Sequence, residues 1–181
     1  MNCNHLYPRR RTLGIALVLL AVPAALAYAD NSGHGIEGTW INEVSIVNCA
    51  TPQVVFARFT SMTTYLRGGT LIEGGGPATP PPAVSRSAGH GVWERTAHYA
   101  FQAQFRSHSF DALGRLVRIT EVTSAPTLTL GDDPATPNVV EPYYLSGLGT
   151  NKITNIDPAT GAVTSVTEGC NYATSRPMSI D

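Results

Sequence analysis

Few side chains in this 181-residue chain have types and spacings suited to chemistry. Cys49 and Cys170 can join as a disulfide in an oxidising compartment. Glu121 is a carboxylate inside the β-rich run Arg115–Ser124. On an apolar wall, desolvation raises a carboxyl pKa and suits it to proton transfer. His34, His90, His98 and His108 could ligate a metal, but none pair at H-x-H or H-x-x-x-H spacing, so no metal is expected. His90, between Gly89 and Gly91, reads as a turn residue. No G-x-S-x-G, phosphate loop or H-E-x-x-H occurs, which counts against a hydrolase, and no cofactor is expected.

The compartment is set by the N-terminus. Arg9, Arg10 and Arg11 precede an apolar run, Leu13 to Ala25, and then Ala27-Tyr28-Ala29. A basic region, an apolar region and small residues at alternate positions read as a secretory signal peptide over residues 1–29. Cleavage after Ala29 is expected, with Ala27 as second choice. The run is shorter than the ~20 residues that cross a bilayer, and Pro23 interrupts it. No integral membrane segment is therefore expected after cleavage. The arginine pair before Thr12 also allows a twin-arginine signal, which Gly14 weakens. Residues 30–181 then form a single exported domain, periplasmic or extracellular.

That mature chain carries nine basic and thirteen acidic residues, a net charge of −4. Such a chain is not drawn to nucleic acid or to an anionic membrane surface. Cys3 leaves with the leader, and an even pair remains. A Cys49–Cys170 disulfide needs Cα atoms within about 7 Å, so the first and last strands must meet. A loop of roughly a hundred residues closed in this way contributes about 4.7 kcal/mol in the chain-entropy model.

The mature chain is rich in Thr and is punctuated by Gly and Pro. That is the pattern of a sandwich or barrel. Candidate strands run from Thr39–Asn48 and Val54–Leu66 at the start to Val139–Leu145, Thr150–Ile156, Ala162–Thr167 and Asn171–Arg176 at the end. Some merge, leaving eight or nine. Arg67-Gly68-Gly69 supplies the positive φ of a tight hairpin. Asp111-Ala112-Leu113-Gly114 and Asp157-Pro158-Ala159-Thr160-Gly161 are turns of the type I kind with a terminal Gly. Gly74 to Pro82 is a surface loop. From Val92 to Phe110 a helix would stack Trp93, Ala97, Phe101 and Phe105; a strand puts Tyr99, Phe101, Ala103 and Phe105 on one face, and leaves fewer exceptions.

Counting back from an Asp111–Arg115 pair sets Phe105 opposite Glu121, with Tyr99, Phe101, Phe105, Val117, Ile119 and Glu121 on the inner face. The other face takes Gln104, Arg106, His108, Leu116, Arg118 and Thr120. A one-residue slip reverses this and pairs Glu121 with Arg106 or Arg118 outside. On the first strand Trp40, Asn42, Val44 and Ile46 are expected inside, joined by Tyr65. Asn42 is either a reactive group or a hydrogen-bonding cap for the barrel end.

Gly38-Thr39-Trp40 at the first strand and Arg176 near the end of the last resemble lipocalins and the wider calycin barrels. The resemblance implies a closed antiparallel up-and-down β-barrel, Trp40 closing one end and Arg176 packing on it. The middle of the chain lacks the family's T-D-Y motif, and an allene oxide cyclase or dirigent type of barrel stays open. Gly69 to Glu73, Gly89 to Arg95 and Gly169 to Thr174 are similar to a set of small secreted bacterial β-barrel proteins, a resemblance that implies no activity.

Two kinds of function follow. A closed apolar barrel can bind a small lipophilic ligand through Trp40, Val44, Tyr65, Phe101, Phe105, Val117 and Ile119. Alternatively it can act as a cofactor-free cyclase or isomerase, with Glu121, Tyr99 and Asn42 steering an apolar substrate. A secreted structural protein with a filled core is the third reading.

Overall fold

Tight turns lay the chain out as a meander. At Gly68 and Gly69 φ is 92° and 86°, the left-handed backbone that lets the three-residue turn Arg67-Gly68-Gly69 close between the paired Leu66 and Thr70. They join β2 (Val55–Leu66) to β3 (Thr70–Gly74). Gly114, at φ 76°, ends the turn between β6 (Phe101–Phe110) and β7 (Leu116–Ser124). There the Asp111 amide donates to the Arg115 carbonyl, and Asp111 Oδ1 accepts from the amides of Leu113 and Arg115. Gly161 does the same between β9 (Tyr143–Ile156) and β10 (Val163–Pro177).

The remaining strands are β1 (Gly38–Val47), β4 (Ser85–Arg86), β5 (Gly89–Arg95) and β8 (Thr127–Leu130). This computed structural model describes residues 35–76, 81–131, 134 and 143–178. The signal peptide reading lies outside those residues, as do parts of the Gly74–Pro82 loop and of the Val139–Leu145 run. Gly35 onward forms one unit. Among the described residues no helix is long and apolar enough to cross a membrane.

The strands close into a barrel. The order β1–β2–β3–β5–β6–β7–β9–β10 returns to β1, every pairing antiparallel. Eight strands complete the ring. β4 continues the line of β5 along β6, and β8 continues that of β7 along β9. Following directly paired residues gives Thr39, Thr64, Ile72, His90, Arg106, Glu121, Lys152 and Glu168. Yet Thr39 meets Met178, ten residues further along the chain than Glu168. That stagger is the shear of a closed ring of tilted strands, which fixes an interior wide enough for side chains or one small ligand.

The path also runs along the outer face. Arg106, Glu121, Lys152 and Glu168 alternate in sign across four neighbouring strands. Opposite charges directly across a ladder stabilise it modestly.

Seam and floor are both settled. Val47 pairs with Cys170, and the adjacent Cys49 is joined to Cys170 with Cα atoms 5.1 Å apart. The expected staple between first and last strands is present. At one end of the barrel β1, β3, β6 and β9 begin and β2, β5 and β8 finish. There Ile36, Trp40, Tyr65, Leu71, Phe101 and Leu128 pack as a buried apolar cluster. Trp40 Nε1 donates to the Ile36 carbonyl at 2.8 Å, and Trp93 Nε1 to the Leu66 carbonyl at 3.0 Å, so both indoles close this end without an orphaned donor.

Several readings are corrected. His90 is the second residue of β5, paired with Ile72 and Arg106, rather than in a turn. Its flanking glycines leave room for β6: a Cβ on Gly89 would come within 2.6 Å of the Phe105 ring, and one on Gly91 within 1.9 Å of the Gln104 carbonyl oxygen. The last two predicted runs are one strand, β10, since Gly169 keeps its pairing with Asn151. Arg176 does not pack on Trp40. It pairs with Ile41, on the opposite parity from Trp40, and is exposed.

Candidate functional site

Above the apolar floor the barrel is hollow. A cavity of about 600 Å³ runs to the opposite end, where exposed Phe56 and Glu168 border it. The room comes from small inward residues: Ser61, Ala103, Ser109, Gly147, Gly169 and Ala173 all line it. On β1 the expected inner set is in place, with Asn42, Val44 and Ile46 on the wall and Trp40 in the floor. Tyr65 and Phe105 line the cavity too. Phe101 lies in the floor cluster, and Tyr99 packs against that cluster without lining the cavity. Burial pushes the Tyr65 hydroxyl up to about 12, so it stays neutral at physiological pH.

β7 presents the other face from the one expected. β6 and β7 leave their turn with Phe110 opposite Leu116, but Ser109 then pairs with Arg118. Val117 is the extra residue, a β-bulge. From there Arg118, Thr120, Val122 and Ser124 face inward and line the cavity. Val117 is buried at the bulge but does not line the cavity. Ile119 and Glu121 are on the outside, opposite His108 and Arg106. Glu121 accepts from the Arg106 guanidinium, which holds its carboxyl below the usual carboxylate range. It is not a desolvated acid inside the barrel, and its part in catalysis falls with its position.

The wall is more polar than a lipophilic lining requires. Asn42 Nδ2 donates to Ser61 Oγ at 3.1 Å and to Thr63 Oγ1 at 2.9 Å, which is the capping role. Glu73, which is buried, and Arg86, whose side chain is 11% exposed, form an ion pair at 2.6 Å on the cavity wall. Arg118 is 6% exposed. Its Nε donates to Asn155 Oδ1 at 3.0 Å, and no carboxylate reaches it among the described residues. Burial lowers its pKa, without a counter-ion to offset the shift.

The sequence reading did not single out Glu73, Arg86 or Arg118 as site residues. Glu73 had a signal: pairing across the Gly68-Gly69 turn sets Leu66 opposite Thr70 and hence Thr63 opposite Glu73. Arg118 had none, since only the bulge turns it inward. No group of three or more His, Cys, Asp or Glu residues able to hold a metal occurs among the described residues.

Comparison with protein-family models, with curated proteins and with solved structures gives no match. The reading of function therefore stands on the geometry of the cavity alone.

Proposed function

We propose that this barrel binds one small amphipathic molecule in its interior, its lipophilic part on the floor and its polar part among the wall side chains. The observation that carries this reading is the cavity of about 600 Å³, open at one end and floored by Tyr65, Leu71 and Leu145 at the other. Ligand sites of this kind are concave, largely pre-formed and some 300–1,000 Å³ in volume, with a few placed polar groups. The hollow argues against a filled structural core. The cyclase alternative relied on Glu121, and the outer position of that side chain leaves the binding reading ahead.

Export to the periplasm or the outside is part of the same proposal. It is supported by the disulfide, which persists in oxidising compartments, and by the leader's residues. Kinship with lipocalins or other calycins is proposed only on Gly38-Thr39-Trp40, with Trp40 in the barrel floor. Native mass spectrometry of gently purified protein tests the function. A bound mass that raises the melting temperature when added back supports it. Empty protein from every extract, with no ligand-dependent rise in melting temperature, sinks it.

A further inference from the structure

Among the described residues, one buried charge in the cavity has no carboxylate partner. Arg86, Ser109 and Arg118 occupy adjoining positions on β4, β6 and β7, since Ser109 pairs with Arg86 on one side and with Arg118 on the other. All three line the cavity. Glu73 neutralises Arg86. Among the described residues Arg118 has no such carboxylate, and one of its five N–H groups has an acceptor, Asn155. The buried part of the described wall therefore carries one positive charge with no paired carboxylate, since Glu168, the other carboxylate bordering the cavity, is exposed at the rim. A buried ion without a partner costs several kcal/mol of desolvation, and a guanidinium presents a planar fork that matches a carboxylate.

The remaining geometry fixes where a ligand's two ends lie. Arg118 is near the start of β7 and Arg86 is on β4, within the β3–β5 connection, both at the open end. Tyr65, Leu71 and Leu145 are at the closed end. Resting on the proposed binding function, we infer that the ligand is a monoanionic amphipath: a single carboxylate head held by Arg118 beside Ser109, with an apolar tail directed to the floor. A single negative charge balances the buried wall residues, whereas a dianion such as a phosphate monoester overbalances them.

The test uses N-phenyl-1-naphthylamine, an uncharged apolar fluorophore, as reporter, displaced from the full mature protein by decanoate or by decan-1-ol. The two competitors differ only in the head group. Decanoate is expected to displace the reporter at least ten-fold more effectively, the size of one charge-assisted hydrogen-bonded contact. Arg118→Met should abolish that preference. Arg106→Met, which removes the same charge from the outer face, should retain it. Arg118→Lys keeps the charge but loses the fork and should give an intermediate ratio. If Arg118→Met does not fold, the wild-type ratio and Arg118→Lys decide. A reporter that binds but is displaced equally by acid and alcohol overturns the anionic head and leaves the cavity function standing. So does a preference that survives in Arg118→Met. A reporter that does not bind at all removes both.

Discussion

Arg106 and Glu121 meet directly across the β6–β7 ladder on the outside of the barrel, while Glu73 meets Arg86 on the inside. The two ion pairs differ chiefly in access to water, and that difference sets their energetics. Glu121→Gln should cost about 0.2–1 kcal/mol, and the loss should shrink at high salt. Glu73→Gln leaves the Arg86 guanidinium buried without its counter-ion and should cost about 3–5 kcal/mol. Chemical denaturation of both variants at two salt concentrations checks the contrast. Equal costs would mean that the β7 bulge is misplaced.

Ser107 has the opposite problem. Its side chain is fully buried, and its Oγ has no hydrogen-bond partner among the described residues. An unmade buried hydrogen bond costs about 1–3 kcal/mol. Ser107→Ala should therefore match or exceed wild-type stability by thermal melting. A clear loss would mean that the hydroxyl is bonded to a buried water.

The staple at the seam gives a third expectation. Cys49→Ser with Cys170→Ser releases a cross-link spanning 121 residues. The double variant should lose about 2–5 kcal/mol of stability. Wild-type protein should fall to the same level in reductant. Unchanged stability in both cases would show that β1 and β10 hold the ring without it.

Stability should also decline at both extremes of pH. The Tyr65 hydroxyl titrates near 10 when unfolded and is pushed up to about 12 by burial. Its contribution is fully present below pH 10 and is lost as pH rises through 12. A two-unit shift corresponds to at most about 3 kcal/mol. Tyr65→Phe should flatten that alkaline limb. On the acid side Asp111, held low first by the Arg115 amide, and Asp157, held low first by the Ala159 amide, join Glu121. Their stabilisation is present above about pH 4 and fades as pH falls through their depressed values. All three are well solvated, so the acid limb should be shallow. Urea melts from pH 3 to 12 read both limbs.

Much of the barrel could be read in the residues, because turns and alternation leave direct marks. Gly68, Gly114 and Gly161 are where positive φ is needed, and all three adopt it. Trp40, Asn42, Val44 and Ile46 alternate strictly, so the inner face of β1 is unambiguous. On β7 the apolar residues Val117 and Ile119 are of one parity and Val122 is of the other. Nothing in their types marks Val117 as the bulge, and one extra residue moves Arg118 from outside to inside. The candidate site depends on that single irregularity. A pattern rule that sends charge outward misses it, because the charge on Arg118 is placed against the rule.

The Trp40–Phe101 floor and the Cys49–Cys170 seam together make the barrel a blind vessel. The apolar floor closes one end, and the cross-link holds the β1–β10 seam. Under the proposed binding function, a molecule enters and leaves by the same end, so one must exit before the next is taken up.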